Sequence, residues 1–106
     1  MTLIAANGCL TPEASIELAG YADLIECECP HHLLQILSQL RDFESYTASC
    51  ITKFPKDAPT HKWLASSAIN IDKMLSTTII QLARREGFVD EDNNLIPREQ
   101  IIAKRG

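Results

Sequence analysis

Basic residues are scarce in this sequence and long apolar runs are missing, and each shortage excludes a class of function. Ten lysine and arginine residues stand against fourteen aspartate and glutamate residues, for a net charge of −4. Because nucleic-acid affinity depends on basic charge that neutralises phosphates, we do not expect direct binding of DNA or RNA. No stretch approaches the ~18 uninterrupted apolar residues of a membrane span. The first ten residues also lack a signal peptide's basic start and long apolar core, so we expect a cytoplasmic protein without membrane contact.

Cysteine is also sparse, at four residues, and does not form the dense pattern of a secreted disulfide scaffold. Cytoplasmic thiols are normally reduced. Cys27 and Cys29 are separated by one residue, which disfavours a disulfide between them. What remains is a chain of 106 residues, 45% hydrophobic and 23% charged, which is the composition of an ordinary globular domain. We therefore predict a single domain over residues 1–106, large enough to bury a core without metals or disulfides.

Prolines and one glycine mark where the helices begin and end. Thr11-Pro12-Glu13 supplies a capping hydroxyl, a proline at the first turn and a carboxylate at the positive end of the helix dipole. Pro30 opens a second helix, Pro55 and Pro59 stop it, and Gly87 stops a third. We predict an N-terminal arm at 1–10, helix one at 11–26, helix two at 30–54, helix three at 60–86 and a C-terminal appendage at 87–106.

Two long apolar stripes predict how the helices pack. The stripe of helix two contains Leu33, Ile36, Leu40, Phe43, Thr47, Cys50 and Phe54, and that of helix three contains His61, Leu64, Ala68, Ile71, Leu75, Thr78 and Leu82. Both repeat with spacings of three and four residues, as in coiled coils. We predict an all-α fold in which an antiparallel helical hairpin packs with the shorter helix one. Because one short helix cannot cover both stripes, we expect a homodimer that completes a bundle.

The densest chemistry lies in residues 26–32, which read ECECPHH. Cys27, Cys29 and His32 offer the sulfur and nitrogen ligands that zinc and other soft transition metals prefer. If Pro30 begins helix two, Cys29 is its N-cap and lies near unpaired N–H groups that favour a thiolate. His32 is preferred over His31 because it lies beside the apolar stripe and near Cys29. The alternative is a helix entry whose cysteines pack and whose histidines face solvent.

Cys50 and His61 form a second group at the other end of the hairpin. An α-helix rises about 1.5 Å per residue, so Cys29 and Cys50 would lie about 31 Å apart, too far for one metal ion. The loop between helices two and three instead brings Cys50 close to His61. These two side chains either pack in the core or form a weak ligand pair that a dimer completes.

The middle third of the chain resembles a pattern in small uncharacterised bacterial proteins. That pattern reads E-C-x-C-P-x-H-L, then F-E-x-Y-x-x-x-C, then D-A-x-x-H. The matching residues are Glu26, Cys27, Cys29, Pro30, His32, Leu33, Phe43, Glu44, Tyr46, Cys50, Asp57, Ala58 and His61. Related segments accompany MerR-type DNA-binding regulators. The resemblance implies a regulatory role but no chemistry, and DNA binding would need a separate partner because this chain has no helix-turn-helix segment.

These features predict a non-enzymatic regulatory or adaptor module that acts through protein–protein contacts. The sequence shows no orienting group and oxyanion hole that would make a cysteine–histidine pair catalytic, so we assign no catalytic residue. The alternative is a metal- or redox-responsive sensor in which Cys27, Cys29 and His32 bind zinc or another soft metal. The expected partners are a second copy of the chain and a regulatory protein.

Overall fold

The structure is a computed structural model that describes residues 1–105, and it confirms the all-α class. Within these residues the chain forms four α-helices, which are α1 Pro12–Ala22, α2 Cys29–Lys53, α3 Ala58–Arg85 and α4 Arg98–Arg105. A 3₁₀ turn at Pro55–Asp57 connects α2 to α3. None of the helices in this part of the chain is long and apolar enough to cross a bilayer.

The start of α1 and the end of α3 lie where the sequence signals place them. Thr11 Oγ1 accepts a hydrogen bond from the Ala14 N–H at 3.2 Å, which caps the first turn of α1. After α3, Gly87 adopts the left-handed φ of +80°. The Phe88 N–H then returns to the Ala83 carbonyl at 2.8 Å and satisfies one of the last carbonyls of the helix.

Other boundaries differ from the prediction. The first helix ends at Ala22 rather than at residue 26, because Leu24 and Ile25 pack against the core from a non-helical connection. The second helix begins at Cys29 with Glu28 at the N-cap position, so Cys29 is the first helical residue and not the cap. It ends at Lys53, and the third helix spans Ala58–Arg85 rather than 60–86.

The buried rows of α2 and α3 coincide with the predicted stripes only in part. Ile36, Phe43 and Ile71 belong to those stripes, yet they are 50%, 42% and 56% exposed. Three members of the stripes, Thr47, Cys50 and Ala68, are buried as predicted. The other buried side chains of these helices lie outside the stripes, and they are Leu37, Asp72, Ser76, Ile79, Ile80 and Ala83. Two polar residues, Asp72 and Ser76, therefore occupy buried positions that the predicted stripes left out.

The N-terminal arm folds back on itself before α1 begins. Ile4 forms an isolated antiparallel bridge with Leu10, and the Thr11 N–H donates to the Leu3 carbonyl at 2.8 Å. Leu3 and Leu10 are almost fully buried and belong to the hydrophobic core. The arm is therefore a packed part of the domain.

The hydrophobic core lies at one end of the α2–α3 pair, beside the first half of α2 and the second half of α3. There the ring of Tyr21 meets that of Phe88 edge to face at 5.6 Å. The Tyr21 hydroxyl also donates to the Ile96 carbonyl at 2.7 Å, which fixes the segment after α3. The described chain measures 58 × 25 × 17 Å, so the far end of the α2–α3 pair extends well beyond this core.

The core of α1 can be tested with two aliphatic residues of the same helix. Leu18 is 3% exposed and Ile16 is 73% exposed. We expect Leu18→Ala to lower the free energy of unfolding by about 2–5 kcal/mol, because it leaves a cavity among tightly packed side chains. Ile16→Ala is the matched control and should change it by at most about 0.5 kcal/mol. Urea unfolding followed by circular dichroism measures both, and equal effects would contradict the described orientation of α1.

Candidate functional site

The structure brings together two of the three residues proposed as metal ligands. The sulfur atoms of Cys27 and Cys29 lie 3.1 Å apart, and the Cys29 N–H donates to Cys27 Sγ at 3.5 Å. Cys27 precedes α2 in a non-helical connection, whereas Cys29 is the first residue of the helix. Both thiols are exposed. The result is a dithiol on the surface at the start of α2.

The two thiols differ in acidity because they interact with each other. The side-chain hydrogen bond with Cys29, followed by the Cys29 backbone N–H, lowers the pKa of Cys27. The same hydrogen bond and the charge on the Cys27 sulfur raise the pKa of Cys29. The contact between the Cys29 N–H and Cys27 Sγ therefore favours a thiolate at Cys27.

The histidines of the ECECPHH segment pair with carboxylates. His31 Nε2 lies 2.8 Å from Asp23 Oδ1, while His32 Nε2 lies 3.9 Å from Glu28 Oε2 and its side chain is 69% exposed. Within residues 1–105 no group of three or more histidine, cysteine, aspartate and glutamate side chains is arranged to hold a metal ion. Zinc binding by Cys27, Cys29 and His32 stays a prediction that would require His32 to turn away from Glu28.

Cys50 and His61 both lie near the turn between α2 and α3. Cys50 is buried, and the ring of His61 lies against that of Phe54 with centroids 6.1 Å apart. His61 Nδ1 is buried and has no hydrogen-bond partner in the described part of the chain. These contacts favour packing as the role of both residues.

A buried polar cluster that the sequence interpretation missed lies between the arm, α2 and α3. Arg41 of α2 donates through Nε to Asp72 Oδ2 at 3.1 Å and through Nη2 to Asp72 Oδ1 at 3.2 Å. Ser76, one turn after Asp72 on α3, donates to Asp72 Oδ1 at 2.9 Å. Asp72 and Ser76 are almost completely buried. A buried carboxylate needs such partners, because an unpaired one would cost several kcal/mol.

The same cluster holds the backbone of the arm. Arg41 Nη2 donates to the Leu10 carbonyl at 2.6 Å, and the Leu10 N–H donates to Ser76 Oγ at 2.8 Å. Both backbone groups of Leu10 are thus satisfied by side chains from two different helices. The cluster consequently fixes the arm to both α2 and α3 at one point.

Two further titratable side chains line a surface pocket of about 240 Å³ beside this cluster, Glu44 and Cys9. Glu44 Oε2 is buried without a hydrogen-bond partner among residues 1–105. Burial first, and then the adjacent Asp72, raise the pKa of Glu44 to about 7 and that of Cys9 to about 11. Burial also acts to raise the pKa of Asp72, but hydrogen bonds from Arg41, Glu44 and Ser76 outweigh it and lower this pKa to about 2.

One sequence signal could have found the cluster. Ala68, Asp72, Ser76 and Ile80 follow one another at intervals of four residues, so they lie on one face of α3. An aspartate and a serine between apolar residues of a single face indicate a buried polar pair that needs a partner. Arg41 cannot be identified as that partner from spacing alone, because the match depends on how α2 and α3 align.

The pKa of Glu44 predicts a specific pH dependence of stability. Unfolded, Glu44 ionises at its ordinary value of 4.5, but the folded protein keeps this proton up to about pH 7. The folded state therefore binds more protons between these values, and stability falls as the pH rises from 4.5 to 7. We expect Glu44→Gln to remove this fall in stability. At pH 8 the free energy of unfolding of the variant should exceed that of the wild type by about 2 kcal/mol, a figure reduced for the partial exposure of Glu44.

The measurement is urea unfolding of wild type and variant at several pH values from 4.5 to 8. Asp72 stays ionised throughout, since its lowered pKa affects stability only below its ordinary value of 3.8. Asp42→Asn, at an exposed position on the same helix, is the control and should follow the wild-type curve. If the free energy of unfolding of Glu44→Gln changed with pH in parallel with that of the wild type, Glu44 would ionise at its ordinary pKa, which would contradict the prediction.

No family model matches this chain, and no curated protein or solved structure matches it either. Its function must therefore be inferred from the residues and contacts described above.

Proposed function

We propose that this protein is a non-enzymatic interaction module that acts through protein–protein contacts and pairs with a second copy of itself. The observation that carries the proposal is a set of large apolar side chains exposed on α2 and α3. We name this set the outer face, and it comprises Ile36, Phe43, Tyr46, Ile71 and Met74. Several large apolar side chains exposed on one side of two neighbouring helices are typical of a protein interface.

Helical geometry places the outer face on the side of the α2–α3 pair away from the arm. Arg41 donates to the Leu10 carbonyl of the arm, and Asp72 accepts a hydrogen bond from Arg41. Both side chains therefore face the arm. Phe43 and Met74 each lie two residues further along, which turns them by about 200° around their helices. They therefore point away from the arm, and Ile36 shares the face of Phe43 because it lies two turns earlier.

The lengths of the helices explain why this face stays uncovered in one copy. With 11 residues, α1 is about 16 Å long, while α2 and α3, with 25 and 28 residues, reach about 37 and 42 Å. Core, arm and α1 lie on the opposite side. In the proposed dimer, two antiparallel hairpins meet through their outer faces and form a four-helix bundle.

The size of the outer face is adequate for such an interface. Two adjacent helices are about 20 Å wide and share the ~37 Å length of α2, so the side of the pair that carries the outer face has a footprint of roughly 740 Å² per copy. A stable protein–protein interface buries about 1,600 Å² in total, or about 800 Å² per partner. A second copy presents a surface of the same length and apolar character, which supports a symmetric pair.

A regulatory role then requires a second kind of partner. The net charge of −4 does not favour phosphate backbones, so an effect on transcription would pass through a separate DNA-binding protein. Trp63 is 65% exposed on α3, beside the far end of the pair. Tryptophan is enriched among residues that dominate binding energy, so this end of the dimer is where we place the regulatory contact.

The dimer is tested by replacing two residues of the outer face. At micromolar concentration, size-exclusion chromatography with light scattering should give the wild type the mass of two 11.8 kDa chains. Phe43→Ser/Met74→Ser should elute as a monomer with unchanged helicity, because both side chains are exposed and the loss of apolar area weakens only the interface.

The matched control is Ile16→Ser/Ile102→Ser, which removes two exposed apolar side chains outside the outer face and should remain dimeric. A monomeric wild type would contradict the proposal. Dissociation of the control alone would place the interface elsewhere on the molecule.

A further inference from the structure

The exposed thiols at the start of α2 have a geometry suited to reversible oxidation. We propose that Cys27 and Cys29 form a redox-active dithiol that reacts with small-molecule disulfides and closes to an intrachain disulfide. Their sulfur atoms are 3.1 Å apart, and both are accessible to a reagent in solution. This inference is independent of the proposed dimer, since the thiols lie outside the outer face.

The disulfide requires a small local movement. A sulfur–sulfur bond is about 2.05 Å long, so the two atoms must approach by about 1 Å. Cys27 lies in the non-helical connection between α1 and α2, where no helical hydrogen bond fixes its backbone. Cys29 is the first residue of α2, so its N–H has no partner four residues earlier within the helix. The connection can therefore adjust while α2 remains folded.

The reaction consists of two exchange steps. The Cys27 thiolate attacks one sulfur of the small disulfide, forms a mixed disulfide and releases one thiolate of the reagent. Cys29 then loses its proton to solvent and attacks Cys27 Sγ, which forms the intrachain bond and releases the second thiolate. Two protein thiols are oxidised and one reagent disulfide is reduced to two thiols.

The order of attack follows from the contacts between the two cysteines. The Cys29 N–H donates to Cys27 Sγ at 3.5 Å, and because a backbone donor stabilises a thiolate, Cys27 is the first nucleophile. Cys29 is then held next to the mixed disulfide and acts as the resolving thiol. Effective concentrations within one chain are far above those of free thiols, so closure should outpace a second external attack.

The other two cysteines do not take part. Cys9 and Cys50 are 6% and 3% exposed, and burial raises the pKa of Cys9 to about 11. A buried, protonated thiol is a poor nucleophile. Oxidation should therefore be confined to Cys27 and Cys29.

Local charge indicates which disulfides react. Glu86 lies close enough to both sulfurs, and Glu28 close enough to that of Cys27, to oppose further negative charge there. An anionic disulfide is consequently disfavoured, and a neutral one is the appropriate probe. We choose bis(2-hydroxyethyl) disulfide, whose reaction products are readily distinguished by mass.

The test is intact-mass analysis of the reduced full-length protein after incubation with this probe. The wild type should lose the mass of two hydrogen atoms and release two equivalents of 2-mercaptoethanol. Peptide mapping should locate the new bond between Cys27 and Cys29. In Cys29→Ser the reaction should stop at a stable mixed disulfide on Cys27, because no resolving thiol remains.

Cys27→Ser is the matched variant, since the two side chains are both exposed and neither substitution disturbs the core. Its remaining thiol, Cys29, should react several-fold more slowly than Cys27 does in Cys29→Ser, because the backbone N–H of residue 29 still stabilises a thiolate at position 27. A persistent mixed disulfide on the wild type, a disulfide-linked pair of chains, or no reaction at all would overturn the proposal.

Discussion

The ion pair between Arg41 and Asp72 is the interaction on which the rest of the structure depends. It is the point at which the arm, α2 and α3 meet, and Ser76 completes it. A buried ion pair is rarely a net gain compared with apolar packing, since both charges must leave water. The pair instead specifies how the two long helices align. The Arg41 guanidinium can reach both the Asp72 carboxylate and the Leu10 carbonyl at only one alignment of α2 and α3. A shift of one turn would leave Asp72 buried without its guanidinium partner, with only the Ser76 hydroxyl of its own helix as a donor.

This alignment determines which side of the α2–α3 pair is open. Because Arg41 and Asp72 face the arm, the residues about half a turn away, Phe43 and Met74, must face outward. The polar cluster and the outer face are therefore two consequences of one helix rotation. Other rotations of α3 are disfavoured because they would bury the Asp72 carboxylate away from Arg41. An apolar residue at position 72 would remove this cost, so the position of the outer face would become less well defined.

The sequence predicted the helices well and their rotation poorly. Helix starts and ends depend on local chemistry, such as the hydroxyl of Thr11 and the glycine at position 87, and the structure places both as expected. The rotation depends on tertiary contacts. A pattern of apolar residues assigns Ile36 and Ile71 to the interior, whereas the structure buries Asp72, whose partner lies 31 residues earlier in the chain. No local rule connects the two positions, so spacing placed Ile36 and Ile71 inside and left Asp72 out, although it placed Thr47, Cys50 and Ala68 correctly.

The candidate site shows the same division between local and tertiary information. The sequence identified the thiols of Cys27 and Cys29 as a candidate site. Their separation by one residue, however, argued against a disulfide bond between them. That argument assumes an extended or helical backbone throughout, whereas the chain bends just before α2 and brings the sulfurs to 3.1 Å. The bend follows from the early end of α1, because Leu24 and Ile25 leave the helix to pack against the core. Core packing thus creates the geometry of the dithiol, while burial keeps Cys9 and Cys50 out of reach. Of four chemically identical side chains, the fold leaves two able to react, and it places them where oxidation needs no opening of the core.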